Sequence, residues 1–530
     1  MVGRLLLACV SACIVVGCSK AARPLEHSGT LVIAVIGEPI SLNPLYLQGD
    51  GGEMIGDLGY SKLTAYDATG EIVTQVSATV PSVENGGISR DGKRITYHLR
   101  HGLAWQDGAP LTSQDIAFTY RAIMNPQNAV PSREDYERIS GIYAPDPYTV
   151  IVRLKHPYGP MVTSFFGAES NYSILPAHLL AQYSNLNQVS YNSAPIGSGP
   201  YRFTNWVRGD RLDLAANSRY YTGRPAIRNI TLRFVPNSST VVTELRTGEV
   251  DMAFLLDISK VGALRAIPGH RVVVTRAPSF CAVTFNVTDS IVKDVAVRRA
   301  FAMAIDRRLL VDKAAHGLYD PDTAMRGMFT WAFDPSVHTL PYDARRAESL
   351  LTQDGWIAGK DGIRVKAGRR LDIQLIFLAS FMAADAIPVL VEEERAIGID
   401  VTMKRFGSGN QFYALDGSLY QGRFRAAIFN YDSGFDPEPS WLLSCAQRAP
   451  NGFNWARYCN RAVDRAIRSA ASVFHRAARR RAYSLVQRLL AADIPYDFLW
   501  QNSQIATIPS GLRGFETLIS PYDSVARWSR

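Results

Sequence analysis

The most constraining feature of the sequence is an uninterrupted apolar run at residues 31–36, near the start of the chain. A strand that is apolar at every position has to be buried on both faces, as strands are in the parallel sheets of α/β proteins. A helix is predicted over residues 384–396, closed by Gly398, and it leads directly into alternating apolar and polar side chains at residues 399–403. This order of helix and strand predicts a mixed α/β architecture.

Further elements follow from periodicity and from capping residues. Thr112, with Asp115 three residues later, has the form of a capping box before a helix. One helix is predicted over residues 295–315, with Asp306 in its interior, and another over residues 463–492. Half-buried strands are predicted at residues 95–99, 150–154 and 230–234.

Composition and charge exclude several classes of protein. The 530 residues are 47% hydrophobic and 20% charged, which is typical of a globular protein of two to four compact units. The formal net charge of +9 is a modest excess for this length and gives little support to nucleic-acid binding. Arg476, Arg479, Arg480 and Arg481 on the last predicted helix, and the acidic run at residues 392–394, are interpreted as solvated helix faces. We expect no nucleic-acid partner.

The first eighteen residues have the pattern of an export signal. Arg4 is followed by twelve largely apolar residues, 5–16, too few to span a bilayer but enough for a secretory signal. The sequence Val-Val-Gly-Cys that ends at Cys18 resembles a bacterial lipobox, and a plain signal with an incidental cysteine is the alternative. We therefore predict a signal peptide over residues 1–17, a lipid anchor on Cys18, a tether over residues 18–28, and a periplasmic or cell-surface lipoprotein. Because cleavage removes only Arg4 among the charged residues, the mature net charge becomes 9 − 1 = +8.

In an oxidising compartment outside the cytoplasm, the remaining cysteines can form disulfides. Cys445 and Cys459 flank a loop rich in Gly, Pro and Asn and are predicted to form a disulfide. Cys281 is then left over, and core packing is its default role.

Sequence motifs for catalysis are missing. The chain has no H-E-x-x-H pair, no G-x-S-x-G nucleophile elbow and no G-x-x-x-x-G-K-[ST] phosphate loop. We expect no catalytic residue, no metal site and no cofactor, although a triad assembled from distant residues stays possible at this point. The prediction is that the chain is not an enzyme.

Motifs along almost the whole mature chain resemble the family 5 solute-binding proteins of bacterial ABC importers, the oligopeptide, dipeptide and nickel receptors. The most specific stretch lies within residues 91–116 and is similar to the family pattern D-G-x-x-(aromatic)-x-L-R-x-G-x-x-(aromatic)-x-D-G-x-P-(hydrophobic)-T-x-x-D. Other matches agree with the family in order and spacing: residues 38–44, 199–201, 217–225, 248–251, 285–286 and 297–307, and Gly398-Ile399 before a strand.

The resemblance implies a two-lobed, periplasmic-binding-protein-like α/β fold of the large type, cluster C, with a third subdomain inserted in the first lobe. A solute would be enclosed between the lobes by hinge closure and delivered to an ABC permease by a monomeric receptor. The expected boundaries are 29–75, 196–282 and 506–530 for the first lobe, 76–195 for the inserted subdomain, and 283–505 for the second lobe.

The same resemblance directs attention to residues 429–441 as a ligand-binding segment. In peptide-binding members, an Asp three residues before an Asp-Pro pair meets the α-ammonium of the ligand. Here Ser433 holds that place and Asp432 precedes it, so either a shift of one residue lets Asp432 serve or the amine anchor is absent. The candidate ligand-binding residues are Asn430, Tyr431, Asp432, Ser433 and Trp441.

The expected ligand is a peptide or a peptide-like solute. A nickel chelate, an oligosaccharide or an opine-like compound bound by the same fold is the first alternative. An extracytoplasmic hydrolase is the alternative from a different functional class.

Overall fold

The computed structural model describes residues 29–254, 256–379, 381, 384–516 and 521–530. The predicted signal peptide, the tether and Cys18 lie outside the described residues. Strands are β1 Thr30–Ile36, β2 Thr64–Tyr66, β3 Ile72–Thr74, β4 Arg94–His98, β5 Ile139–Asp146, β6 Thr149–Leu154, β7 Tyr201–Val207, β8 Arg211–Ala216, β9 Asn229–Val235, β10 Met252–Ala253, β11 His270–Phe285, β12 Ile357–Ala358, β13 Arg364–Lys366, β14 Arg369–Arg370, β15 Asp372–Leu378, β16 Asp400–Phe406, β17 Ala426–Asp432 and β18 Tyr496–Pro509. Helices are α1 Gly49–Gly59, α2 Ser113–Met124, α3 Met161–Ser164, α4 Ala177–Leu180, α5 Ser238–Thr247, α6 Val261–Arg265, α7 Val295–Ala304, α8 Arg307–Ala315, α9 Arg326–Phe329, α10 Ala344–Gln353, α11 Ile387–Ala396, α12 Gly409–Tyr413, α13 Ser418–Gln421, α14 Ser440–Leu443, α15 Arg461–Ala471 and α16 Arg476–Asp493.

Strand β1 lies inside a large mixed sheet. Within the described residues this sheet has ten strands in the order β16-β15-β17-β11-β18-β10-β1-β9-β8-β7. Strand β1 runs parallel to both neighbours, β9 and β10. Leu31 and Ile33 pack into the core on one side of the sheet, while Val32 and Ala34 pack into the core on the other. The prediction of a strand buried on both faces is confirmed.

Two long strands connect the lobes. Strands β11 and β18 run antiparallel, and each contributes one half to each lobe: residues 270–276 pair with residues 503–509, and residues 280–285 pair with residues 496–501 and with β17. The register breaks between Arg276 and Phe280. Lobe I is the part of the sheet from β10 to β7, and lobe II is the part formed by β16, β15 and β17. We call residues 277–279 and Asn502 the hinge segment.

A smaller three-stranded sheet, β4-β6-β5, forms a subdomain with helix α2. Helix α2 begins at the predicted capping box: the Asp115 carboxylate accepts from the Thr112 backbone N–H at 2.8 Å, and the Thr112 hydroxyl accepts from the Gln114 N–H. The capping box is therefore confirmed, and the strands predicted in this region coincide with β4 and β6.

The two longest predicted helices are each divided. Residues 295–315 form α7 and α8, because Asp306 accepts hydrogen bonds from the Arg308 and Leu309 N–H groups and so begins a second helix instead of lying inside one. Residues 472–475 separate α15 from α16. The predictions of two continuous helices were wrong, since apolar spacing persists across a break when both helices cover the same core.

Three cysteines lie within the described residues. Cys445 and Cys459 are joined by a disulfide, and Cys281 is a free thiol buried in the lobe II half of β11. Burial raises the pKa of the Cys281 thiol well above its ordinary value. Among the described helices, none combines the length and the apolarity that crossing a bilayer requires.

The acidic run at residues 392–394 is only partly a solvated face. Glu392 is exposed, but the Glu394 side chain is fully buried and both of its carboxyl oxygens lack a hydrogen-bond partner among the described residues. Removal from water, followed by the negative charges of Asp497 and Glu393, raises the pKa of Glu394 well above 4.5. The interpretation of Glu394 as solvated was wrong.

We expect the substitution Glu394→Gln to make the protein more stable at pH 8 and to change little at pH 5. A carboxyl whose pKa is raised in the folded state favours folding below about pH 4.5, and that contribution is lost as the pH rises through the folded-state pKa. Removing the charge should raise the free energy of unfolding at pH 8 by roughly 2 kcal/mol. Urea denaturation at both pH values measures this difference, and Glu392→Gln at the exposed neighbour serves as the control. An equal effect of Glu394→Gln at both pH values would contradict the prediction.

Candidate functional site

A cavity of about 310 Å³ lies between the lobes, beside the hinge segment. We call it the hinge cavity. Lobe I and its subdomain contribute the start of α1, Lys62 and residues 168–173; lobe II contributes Asp432 and Gly434. The hinge segment contributes Ala277, Pro278 and Ser279 to the same wall. Because both lobes and the hinge segment border this cavity, its shape depends on the angle between the lobes.

Strand pairing fixes Asp432 at the hinge cavity. Asp432 is the last residue of β17 and lies opposite Ser279 of β11. The next residue, Ser433, donates its backbone N–H to the Pro278 carbonyl at 2.9 Å. In the hinge segment, the Asn502 amide donates to the Ser279 hydroxyl at 3.1 Å. Backbone pairing on both sides therefore places Asp432, which is exposed, at the point where the two lobes meet.

Acidic groups outnumber basic groups around the hinge cavity. Its charged lining consists of Glu53, Glu169 and Asp432 against Lys62. Lys62 also lies 3.8 Å from the Asp57 carboxylate, which offsets part of its positive charge. Burial and the negative charge of Asp436 raise the pKa of Glu169 to about 7. Even without a charge on Glu169, Glu53 and Asp432 outnumber Lys62, and this lining suits a solute that carries a positive charge.

A second interlobe cavity, of about 740 Å³, borders the same hinge segment. It shares Ala277 and Pro278 with the hinge cavity, and its lining includes the aromatic side chains of Tyr319, Trp331 and Phe435. Its charged lining consists of Arg276, Arg326 and Asp320, and Arg276 forms an ion pair with Asp320. This cavity is larger than the hinge cavity and has an aromatic wall. Its charged lining has more basic than acidic groups, whereas the hinge cavity has more acidic than basic groups.

The structure distributes the predicted ligand-binding residues over different environments. Asp432 lines the hinge cavity. Asn430 Oδ1 and Ser433 Oγ are buried without a hydrogen-bond partner among the described residues, so both retain capacity to accept or donate. Tyr431 instead belongs to the core: its ring stacks on Phe280, and its hydroxyl bonds with that of Thr284.

Tyr431 and Trp441 do not contribute to either interlobe cavity. Trp441 packs at the edge of the same aromatic core, with its ring 6.4 Å from that of Tyr431. The expectation that these two rings contact a ligand stays a prediction. In β17 the side chains alternate, and the face that carries Tyr431 points into lobe II.

The loop after β17, residues 433–438, is fixed by a buried ion pair. The Asp436 carboxylate lies 2.6 Å from an Arg479 guanidinium nitrogen, and both side chains are about 5% exposed. Arg479 also donates to the Pro437 carbonyl at 3.2 Å. The interpretation of the α16 arginines as a solvated face was wrong for Arg479, because that side chain points inward to hold this loop.

The lobe I residues of the site were missed by sequence reasoning. Glu169 and Lys62 come from loops that carry no local motif, and Gln504 is the last of four consecutive polar residues within β18. Only the lobe II segment at residues 429–441 could be found from the sequence, through its spacing to an Asp-Pro pair. The site of a two-lobed protein is assembled from segments far apart in the chain, and spacing carries no information on such contacts.

The arrangement is suited to binding. Among the described residues, no group of three or more His, Cys, Asp or Glu side chains is placed to hold a metal ion. The cavity instead combines carboxylates with a Gln504 carbonyl oxygen that has no hydrogen-bond partner among the described residues, and its walls come from two lobes. Such a cavity can enclose a polar solute and match its charge.

Comparisons with known proteins agree with this description. Residues 81–452 match the family model described as bacterial extracellular solute-binding proteins, family 5. Protein XP55 of Streptomyces lividans is 29% identical over 93% of this chain and 87% of its own length. The oligopeptide-binding protein AppA of Bacillus subtilis is 25% identical over 94% of this chain and 90% of its own length. The crystal structure of NikZ from Campylobacter jejuni in complex with Ni(L-His) has a TM-score of 0.76 and 24% identity, covering 95% of this chain and 99% of NikZ.

We expect Arg479→Leu to destabilise the protein strongly. The change leaves the Asp436 carboxylate buried without its partner, and breaking a buried pair in this way costs about 3–5 kcal/mol. The double variant Arg479→Leu with Asp436→Asn should recover part of this loss, because the buried charge is gone. Guanidinium denaturation measures both effects, with Arg481→Leu on the exposed side of the same helix as the control. A cost below about 1 kcal/mol for Arg479→Leu would show that the loop does not depend on the pair.

Proposed function

Because the chain belongs to the bacterial extracellular solute-binding proteins of family 5, we propose that it captures a peptide or peptide-like solute between its lobes for an ABC import permease. The relative AppA is named as an oligopeptide-binding protein, which supports a peptide as the solute class. The proposed receptor acts as a monomer and performs no chemistry on the solute. Catalysis by the chain itself, as in an extracytoplasmic hydrolase, would appear as cleaved peptides in mass spectrometry.

The observation that carries the proposal is the position of Asp432. Its carboxylate stands at the hinge cavity, at the end of a strand that is paired with the hinge strand β11. An α-ammonium group that leaves water needs a charged partner, and an ammonium–carboxylate hydrogen bond is stronger than a neutral one. We propose that Asp432 supplies this partner, with Asn430 and Ser433 offering polar atoms nearby.

The proposed mechanism is a shift between open and closed forms. A solute that contacts both lobes gains those contacts only when the hinge is closed, so its binding stabilises the closed form. The hinge cavity has walls from lobe I, from lobe II and from the hinge segment, which gives a bound solute contacts on both sides. The closed form would then be the one that docks on the permease.

A membrane anchor is proposed from the sequence of residues 1–28. We propose that residues 1–17 are a signal peptide and that Cys18 is lipid-modified, which would hold the receptor at the membrane on the extracytoplasmic side. The family to which the chain belongs is extracellular, in agreement with export.

We expect Asp432→Asn to weaken peptide binding about 10–100-fold, because a charge-assisted hydrogen bond is worth about 1.5–3 kcal/mol. The probe is a synthetic pool of tri- to nonapeptides with free amino termini, and the readout is the rise in melting temperature with peptide concentration. The same pool with acetylated amino termini should bind wild type weakly and should not distinguish wild type from Asp432→Asn.

A nickel–histidine complex is the second probe, since NikZ was solved with that chelate. If the chelate stabilises the wild-type protein and the peptide pool does not, the peptide proposal is wrong. If peptides bind equally well to wild type and Asp432→Asn, the amine is held elsewhere.

We expect Cys18→Ser to release the protein from the membrane fraction. Metabolic labelling with a radioactive fatty acid should mark the wild-type protein and not the variant, because the thiol is the proposed site of attachment. Cys281→Ser is the matched control, since that thiol is buried inside lobe II. Labelling of Cys18→Ser at the wild-type level would rule out the anchor.

A further inference from the structure

One carboxyl group of the lobe I subdomain reaches across the interlobe boundary. Glu169 Oε1 accepts the backbone N–H of Phe435 at 2.9 Å and that of Asp436 at 3.2 Å. Both amides belong to the 433–438 loop of lobe II, the loop that follows Asp432. A second polar contact also joins the lobe I subdomain to this loop: the Thr163 hydroxyl donates to Asp436 Oδ2 at 3.2 Å.

Gly434 makes this close approach possible. Its φ of +71° lies in the left-handed region, and a Cβ atom built on it would stand 2.6 Å from Glu169 Oε2. The loop therefore presents bare backbone to the carboxyl group. On the other side of the loop, the Phe435 ring lies 4.9 Å from the Tyr66 ring, another contact between the loop and lobe I.

We propose that Glu169 is a positioning residue for solute capture, which holds the 433–438 loop against lobe I in the closed form through its two amide hydrogen bonds. The inference rests on the proposed function, because closure has a purpose only if a solute is enclosed. Glu169 acts on the loop that directly follows Asp432 and includes Ser433, so the loop position and the closed form depend on each other.

Burial and the neighbouring Asp436 charge favour the protonated acid more than the two amide hydrogen bonds favour the carboxylate. Both amides donate to Oε1, so a proton on Oε2 leaves both hydrogen bonds in place and removes the repulsion from Asp436. Removal from water and the Asp436 charge raise the pKa of Glu169 to about 7, above its ordinary value of 4.5. Closure of the lobes should therefore be coupled to the uptake of a proton by Glu169 between about pH 4.5 and pH 7. The closed form should lose stability as the pH rises through 7. The titratable and charged groups that surround this carboxyl are Tyr66, Asp436, Arg479, Glu53, Lys62 and Asp432.

Hydrogen exchange of the full chain without added solute tests the contact directly. In wild type, the amides of Phe435 and Asp436 should be better protected at pH 5.5 than at pH 8, after correction for intrinsic exchange rates. Glu169→Gln keeps an acceptor oxygen and has no charge, so its protection should be equal at both pH values and at least that of wild type at pH 8. Glu169→Leu should lose the protection at both pH values.

Affinity for the peptide pool provides the second readout. Loss of two amide hydrogen bonds in Glu169→Leu should raise the apparent Kd about tenfold, while Glu169→Gln should stay within about threefold of wild type at pH 5.5. Glu71→Gln is the matched control: Glu71 pairs with Arg476 across the same lobe boundary, but its side chain is 65% exposed, so neither readout should change.

The outcomes separate the two proposals. If wild type binds none of the peptide pool but its loop amides show the expected protection and pH dependence, the peptide proposal fails and the role of Glu169 stands. If peptides bind but Glu169→Leu matches wild type in protection and in Kd, the role of Glu169 is overturned. A pH dependence that persists in Glu169→Gln would also overturn it, because another group would then be titrating.

Discussion

The pairing of β11 with β18 is the constraint on which the rest of the structure depends. Both strands belong to both lobes, so neither lobe can turn without bending this pair. The register irregularity between Arg276 and Phe280 interrupts the ladder where bending is least costly. The predicted lobe boundaries at residues 282 and 505 fall inside the same two strands. Because the hinge segment also lines both interlobe cavities, a change in the angle between the lobes changes the space offered to a solute.

The parts of the structure that could be predicted from the sequence depend on neighbouring residues. The apolar run of β1 and the capping box of α2 are local patterns. In each, a few neighbouring residues are enough to predict the burial of the strand or the hydrogen bonds of the helix start. The division of α7 from α8 was also readable in principle, because Asp306 is a good N-cap residue. The family resemblance extended this to the two-lobed fold, which no local pattern contains.

The site was much less predictable, for a physical reason. Tyr431 and Asp432 are adjacent in sequence, but the alternation of a strand sends the first into the aromatic core and leaves the second at the hinge cavity. Arg479 looks like its exposed neighbours on α16, and only the position of Asp436 explains why it is buried. A charged side chain on a helix is predicted to contact solvent unless another element supplies an oppositely charged partner. The position of that partner cannot be predicted from the sequence of the helix.

The polar contacts that Glu169 and Thr163 make between the lobes fit a receptor that must reopen. An apolar contact of the same size would gain free energy whenever the lobes met, whereas a carboxyl group that leaves water to meet two amides recovers little more than it loses. Glu169 and Thr163 therefore give the contact a defined geometry with a small net stabilisation. A ligand shifts a two-state equilibrium only by its differential affinity, so closure that is nearly balanced without solute needs few solute contacts to complete it. The buried Asp436–Arg479 pair has the complementary role: it ties the loop to α16 within lobe II, so the loop is held by its own lobe as well as by lobe I.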